Sequence, residues 1–131
     1  MVLLLFIITA STLYIMLVRL AGISGASAIA LGAIGAHALN NRSDAMKETW
    51  RVGSLYHLTH SIVLFQLATS SISSISIRKR NITTFLFTTG IVLFSGSCYT
   101  VVIMNERKPY SQLAPLGGVS LICGWLALAF L

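Results

Sequence analysis

The sequence predicts an all-α membrane protein: a four-helix transmembrane bundle with an apolar N-terminal extension. Three observations predict it. Hydrophobic residues make up 56% of the chain and charged residues only 9%, where a soluble domain carries about a quarter charged residues, so the chain cannot clothe a water-facing surface. Its apolar residues fall in long runs separated by short polar connectors, and each run supplies the roughly 20 residues that cross a bilayer. Small residues recur inside those runs at helical spacing. Ser24, Ala28, Gly32 and Ala36 follow one another every four residues, a face with little bulk on which a second helix backbone packs closely in lipid. At 131 residues the chain is one integral membrane domain.

From Met1 to Val18 the chain is apolar, with Arg19 its first charge. It has neither the basic start of a secretory signal nor the Arg-rich amphipathic pattern of a mitochondrial presequence. No turn signal interrupts the run up to Leu39. The first span is expected at about 12–39, with 1–11 as an apolar extension that either leads one long helix or forms a separate segment. Asn40-Asn41 suits the end of that helix and Ser43-Asp44 the start of the next. The second span is expected at about 50–77, opening on Trp50-Arg51 as an interfacial pair. Its serine-rich second half (Ser70, Ser71, Ser73, Ser74 and Ser76) offers hydroxyls that compete for helix carbonyls and favour a bend. Arg78-Lys79-Arg80 then reads as a tight basic loop at the membrane interface, with Asn81 as the cap of a third span at about 82–104. After a loop containing Pro109, the fourth span is expected at about 113–131, with Pro115 in its first turn, where the missing N–H costs nothing. Gly117, Ser120, Gly124 and Ala127 give that helix its own stripe of small residues.

The formal charge of +6 does not indicate a nucleic-acid partner, because the nine basic residues are scattered through short connectors. Flanking membrane spans, they act as topology determinants and headgroup contacts. The Arg78-Lys79-Arg80 cluster is placed on the cytoplasmic or matrix side. Cys98 and Cys123 lie in separate apolar segments and are expected as unpaired packing residues. The sequons at Asn41 and Asn81 sit too close to the membrane to serve as glycosylation sites.

Chemistry is sparse. His37, His57 and His60 all fall near one membrane face, and a short connector makes their two helices antiparallel neighbours. Imidazole is a ready ligand for metals and haem, so the three could hold a metal, a haem, or the polar end of a lipid or quinone. The other reading has each ring bonded to a carbonyl, a serine or Tyr56, latching the bundle. Ser95 and Ser97 would need a base and an acid to orient it, but Asp44, Glu48 and Glu106 lie in loops or at helix ends. No catalytic residue, no metal site and no enzymatic activity are therefore expected.

The segments Gly32-Ala33-Ile34-Gly35-Ala36-His37, Tyr56-His57-Leu58-Thr59-His60-Ser61, Leu93-Phe94-Ser95-Gly96-Ser97-Cys98-Tyr99 and Ala114-Pro115-Leu116-Gly117-Gly118 followed by Gly124-Trp125 together resemble one family. It is the small membrane family that includes transmembrane protein 256 of animal mitochondria and its bacterial inner-membrane relatives. The resemblance covers about residues 19–131 and implies four membrane helices without an established activity. It supplies no catalytic residues, and the extension up to Val18 departs from it. It implies the mitochondrial inner membrane for a eukaryotic source and the plasma membrane for a bacterial one. The expected function is that of a non-enzymatic accessory or structural subunit of a larger, respiratory-type inner-membrane assembly. Its expected partners are membrane lipids and other membrane subunits, with bound phospholipid compatible and no cofactor. The alternative is a binding protein for a metal, haem, lipid or quinone built on His37, His57 and His60.

Overall fold

Nothing between Val2 and His37 breaks helical bonding, and the chain takes the continuous alternative. In the computed structural model, which describes residues 1–70 and 75–130, α1 (Val2–His37) is a single helix of 36 residues, roughly 54 Å long at 1.5 Å per residue. Helix α2 (Asp44–Thr69) starts six residues before Trp50 because the Ser43 hydroxyl accepts from the Met46 N–H and caps it, with Asp44 favourably placed in the positive first turn. It ends where hydroxyls compete for carbonyls: Thr69 Oγ1 donates to Phe65 O at 2.9 Å and Ser70 Oγ to Gln66 O at 2.6 Å.

The helix therefore stops well short of Ile77. The bend expected at Ser71, Ser73 and Ser74 lies outside the described residues. Ser76, in extended backbone, caps the next helix by accepting from the Lys79 N–H at 3.2 Å. Arg78-Lys79-Arg80 is consequently the first turn of α3 (Ile77–Met104) rather than a loop, and Asn81 is an interior residue rather than a cap. Helix α3 is regular except for one π turn at Ile91–Ser95, and it ends at Asn105, which adopts the left-handed conformation (φ 55°) that asparagine tolerates. A 3-10 turn at Tyr110–Leu113 runs directly into α4 (Ala114–Phe130). The described residues contain no strand.

Three stretches, Ser11–His37, Ile77–Met104 and Tyr110–Phe130, are long and apolar enough to cross a membrane. Helix α2 is the less apolar member, since it bears Asp44, Lys47, Glu48 and Arg51 in its first turns and His57, His60 and Gln66 further on. Its histidines are turned into the bundle.

The face that α1 presents to α2 follows Ala21, Ser24, Gly25, Ala28, Leu31 and Gly35, all buried or half-buried. The line of four-residue steps does not hold. Each such step overshoots a full turn by roughly 40°, so Gly32 sits at the edge of the contact and Ala36 is exposed, while alternating steps of three and four stay with the neighbour. On α4 the buried stripe is Gly117, Leu121, Gly124 and Ala127. A Cβ on Gly117 would collide with the Phe94 backbone nitrogen, and one on Gly124 would press on the Phe87 ring at 2.9 Å. The Ser120 hydroxyl spans the same crossing, donating to Leu86 O at 2.8 Å. The backbones of α3 and α4 thus meet at the π turn. One apolar core unites Ala21, Leu64, Leu67, Phe87, Ile91 and Leu121.

Candidate functional site: a histidine hub inside the bundle

His57 and His60 lie one turn apart on α2 and are 8% and 5% exposed. A buried imidazole has two nitrogens to satisfy, and both rings satisfy theirs within the protein. His60 Nδ1 lies 2.7 Å from the Tyr56 carbonyl, which can only accept, so Nδ1 carries the proton. Its Nε2 then accepts from the Trp125 indole N–H at 3.3 Å. This bond ties α2 to α4, and the His60 ring also packs on Phe87, with centroids 5.4 Å apart.

The proton on His57 follows from a chain of bonds. Ser61 Oγ donates to the His57 carbonyl at 2.7 Å, which uses its only proton. Ser24 Oγ, 2.6 Å away, must then donate to Ser61 Oγ. Having used its own proton, Ser24 accepts from His57 Nε2 at 3.2 Å. His57 Nδ1 is left to accept from the Tyr99 hydroxyl at 3.3 Å. Every donor has one acceptor, the imidazole is neutral, and α1, α2 and α3 are joined through one side chain. Tyr99 packs in turn against Trp50, with centroids 4.7 Å apart and the rings tilted by 57°.

His37 does not join this group. It lies exposed on the last turn of α1, thirteen residues and roughly 20 Å along the helix from Ser24, where His57 binds. The antiparallel pairing brings Trp50, not a histidine, toward that end of α1. Trp50 is accordingly a buried residue rather than an interfacial anchor: Gly35 leaves room for the indole, whose N–H donates to Leu31 O at 2.8 Å. Of the basic cluster, Arg78 is exposed, Lys79 half-buried and Arg80 only 6% exposed. Among the described residues, no three His, Cys, Asp or Glu side chains are grouped as a metal-binding set. Cys98 and Cys123 are free thiols, one buried and one exposed. Outside the membrane core, both Arg51 donors clasp Glu48 at 2.7 and 2.6 Å and hold its carboxyl below the usual carboxylate range.

Beside the hub, a cavity of about 390 Å³ opens between α1, α2 and α3. Ser24, His57 and Tyr99 line it together with Ser95, Thr88 and apolar side chains. Ser95 reads in the sequence as a nucleophile candidate, but His57, its one conceivable base, is fully engaged elsewhere. Thr88, Trp125 as the partner of His60, and the π turn were not legible in the sequence. A mid-helix Ile-Val-Leu-Phe-Ser run gives no local sign of π geometry, and the His60–Trp125 pairing joins residues 65 apart.

Fold and site together define a helical integral membrane protein whose polar groups are gathered into an internal hub. The chain belongs to the family described as "Protein of unknown function (DUF423)", which it matches over residues 31–118. It is 34% identical over 108 residues to the UPF0382 membrane protein YwdK of Bacillus subtilis (strain 168), covering 82% of this chain and 87% of that protein. It is 38% identical over 106 residues to the UPF0382 inner membrane protein YgdD of Escherichia coli (strain K12), covering 80% and 79%. A Staphylococcus aureus UPF0382 membrane protein is 32% identical over 111 residues, covering 83% and 88%. No solved structure matches the chain. This is a small membrane family with bacterial inner-membrane members, of the kind the sequence motifs indicated.

Proposed function

We propose that the protein is a non-catalytic accessory component of a larger assembly in its membrane, acting through helix and lipid contacts, with respiratory-type complexes as the natural hosts. The observation that carries this reading is the one-sided support of α1. Its bundle face is built of small residues, while Met16, Ile23 and Ile29 are exposed on the outside. Helix α2 ends eight residues beyond Ser61, so the antiparallel run reaches about Met16, and roughly 20 Å of α1 extends past the end of α2. A helix held on one side by close packing, with Met16, Ile23 and Ile29 exposed on its other side, suits a bundle that docks sideways onto other membrane helices. The full engagement of both buried imidazoles favours structural use of the histidines over metal or haem ligation.

A photo-crosslinking residue at Met16 or Ile29 tests this in native membranes. Discrete adducts with another membrane subunit, not formed from Leu126 on α4, are expected. Migration as a lone chain in mild-detergent native gels, with no adduct from either α1 position, would overturn the reading.

A further inference from the structure

We infer that the cavity between α1, α2 and α3 is a binding site for a neutral, long-chain amphiphile that presents a carbonyl to Ser95. Inside these helices a serine or threonine normally bonds back one turn, as Thr49 does to Ala45 O, Ser61 to His57 O and Thr100 to Gly96 O. Ser95 is 1% exposed, yet its hydroxyl has no hydrogen-bond partner, and neither has that of Thr88. Both residues line the cavity. Ser95 closes the π turn, in which the Ile91 carbonyl accepts from the Gly96 N–H in an i to i−5 bond, displaced from the one-turn register that serves Ser61 and Thr100. A buried hydroxyl without a partner is costly, and such a group marks a place where something else completes the bond. π turns of this kind recur at functional sites.

The ligand's character follows from the walls and the depth. The cavity is within the size range of small-molecule sites, roughly 300–1,000 Å³, and is apolar with a few convergent polar groups. Two of its lining residues, Ile23 and Val92, are also 71% and 63% exposed on the outer surface, so its mouth opens sideways toward lipid tails. The hub keeps its own protons: Tyr99 donates to His57, and His57 to Ser24. Ser95, with Thr88 beside the same cavity, is therefore left as a free donor, and it suits an uncharged acceptor. Along α3, Ser95 stands fifteen residues beyond Arg80 and ten before Asn105, within roughly 4 Å of the midpoint between the polar ends. The ester groups of a phospholipid, anchored at the edge of a core about 30 Å thick, lie too far away. The carbonyl must belong to a molecule whose whole head enters the bilayer interior, either an isoprenoid quinone or a neutral acyl glycerol.

The test is thermal unfolding of the full chain in mild detergent, with decylubiquinone and dioctanoylglycerol as separate probes. A saturable rise in Tm with the first and not the second assigns a quinone, and the reverse assigns a neutral lipid. Ser95→Ala should keep or raise the Tm without probe, having lost an unsatisfied group, while weakening the effective probe roughly three- to tenfold. Val92→Trp, which fills the mouth from the lipid side, should abolish the shift without disturbing the fold. A flat response to both probes would overturn the inference, because the cavity then holds only water or a tail. An unchanged shift in both variants would overturn it equally, placing the binding elsewhere.

Discussion

Gly117→Ala adds one methyl group where the structure leaves no space for it. The new Cβ would overlap the Phe94 nitrogen and lie 2.8 Å from both the Leu93 carbonyl carbon and the Phe94 Cα. These are backbone atoms in the middle of α3, so no side-chain rotation relieves the contact and the two helices must part. Overpacking of a tight core costs about 1–3 kcal/mol. The intrinsic preference of a helix interior for alanine over glycine, about 0.5–1 kcal/mol, acts in the opposite direction. The net expected loss is therefore on the order of 1–2 kcal/mol. Gly32→Ala is the matched control: the same methyl is added to α1, but nothing lies within 4 Å of the new Cβ, so only the gain remains. Reversible unfolding in mixed micelles should move the two variants to opposite sides of wild type. Equal effects of either sign would refute the argument that the α3–α4 crossing at the π turn is set by direct backbone contact.

His57→Phe keeps the ring volume but leaves the Tyr99 hydroxyl without its acceptor and Ser24 without the N–H that the imidazole donates. A loss of about 1–3 kcal/mol is expected in the same assay, and a neutral result would show that the hub does not hold α1 to α3. For Glu48 the carboxyl is held below its ordinary value of 4.5 by Arg51, so the pair's stabilisation is present above that pH and is lost as pH falls through the lowered value. Tm profiles from pH 7 to 3 should show a small, salt-sensitive acid limb in wild type that is absent in Glu48→Gln. An identical limb in the variant would assign it to another carboxylate. Helix α2, which is not among the apolar stretches able to cross a membrane unaided, should insert less efficiently than α3 when each is placed alone in a glycosylation-mapping host. Restoring α1 ahead of it should raise its insertion; indifference to α1 would mean that the polar face of α2 is not matched by that helix.

The helices were legible in the sequence because length, apolarity and local caps determine them. The continuity of α1 needed only the lack of a breaker, and Ser43-Asp44 marked the start of α2 by ordinary capping chemistry. What misled was the competition among serines. Several of them between Ser70 and Ser76 can each end or begin a helix, and the structure uses Ser70 to stop one and Ser76 to start the next, which turns an apparent basic loop into a helical first turn. Register was half legible. The run from Ser24 to Ala36 did identify a small-residue surface, but which residues touch is decided by where α2 runs across it, and a shift of one residue exchanged Ala36 for Gly35. Trp50 shows the same limit: interfacial by composition, it is buried because a glycine on another helix makes room for it.

The cost of α2 in apolarity explains what the hub contributes. Hydrogen bonds between membrane helices are worth under about 1 kcal/mol each on average, so the His57 chain cannot be the main source of cohesion, which lies in the close crossings at Gly35, Gly53, Gly117 and Gly124. Surfaces made of small residues, however, are poor at fixing rotation, because neighbouring registers pack nearly as well. A side chain that must meet Ser24 on one helix and Tyr99 on another admits a single rotation of α2, since any other strands polar groups in a medium without water. His60 imposes the same condition toward α4 through Trp125. The two histidines thus select one arrangement of four otherwise slippery helices. That selection holds the π turn and its unpartnered Ser95 beside a cavity open to the lipid, a fixed polar point that a freely rotating bundle could not present.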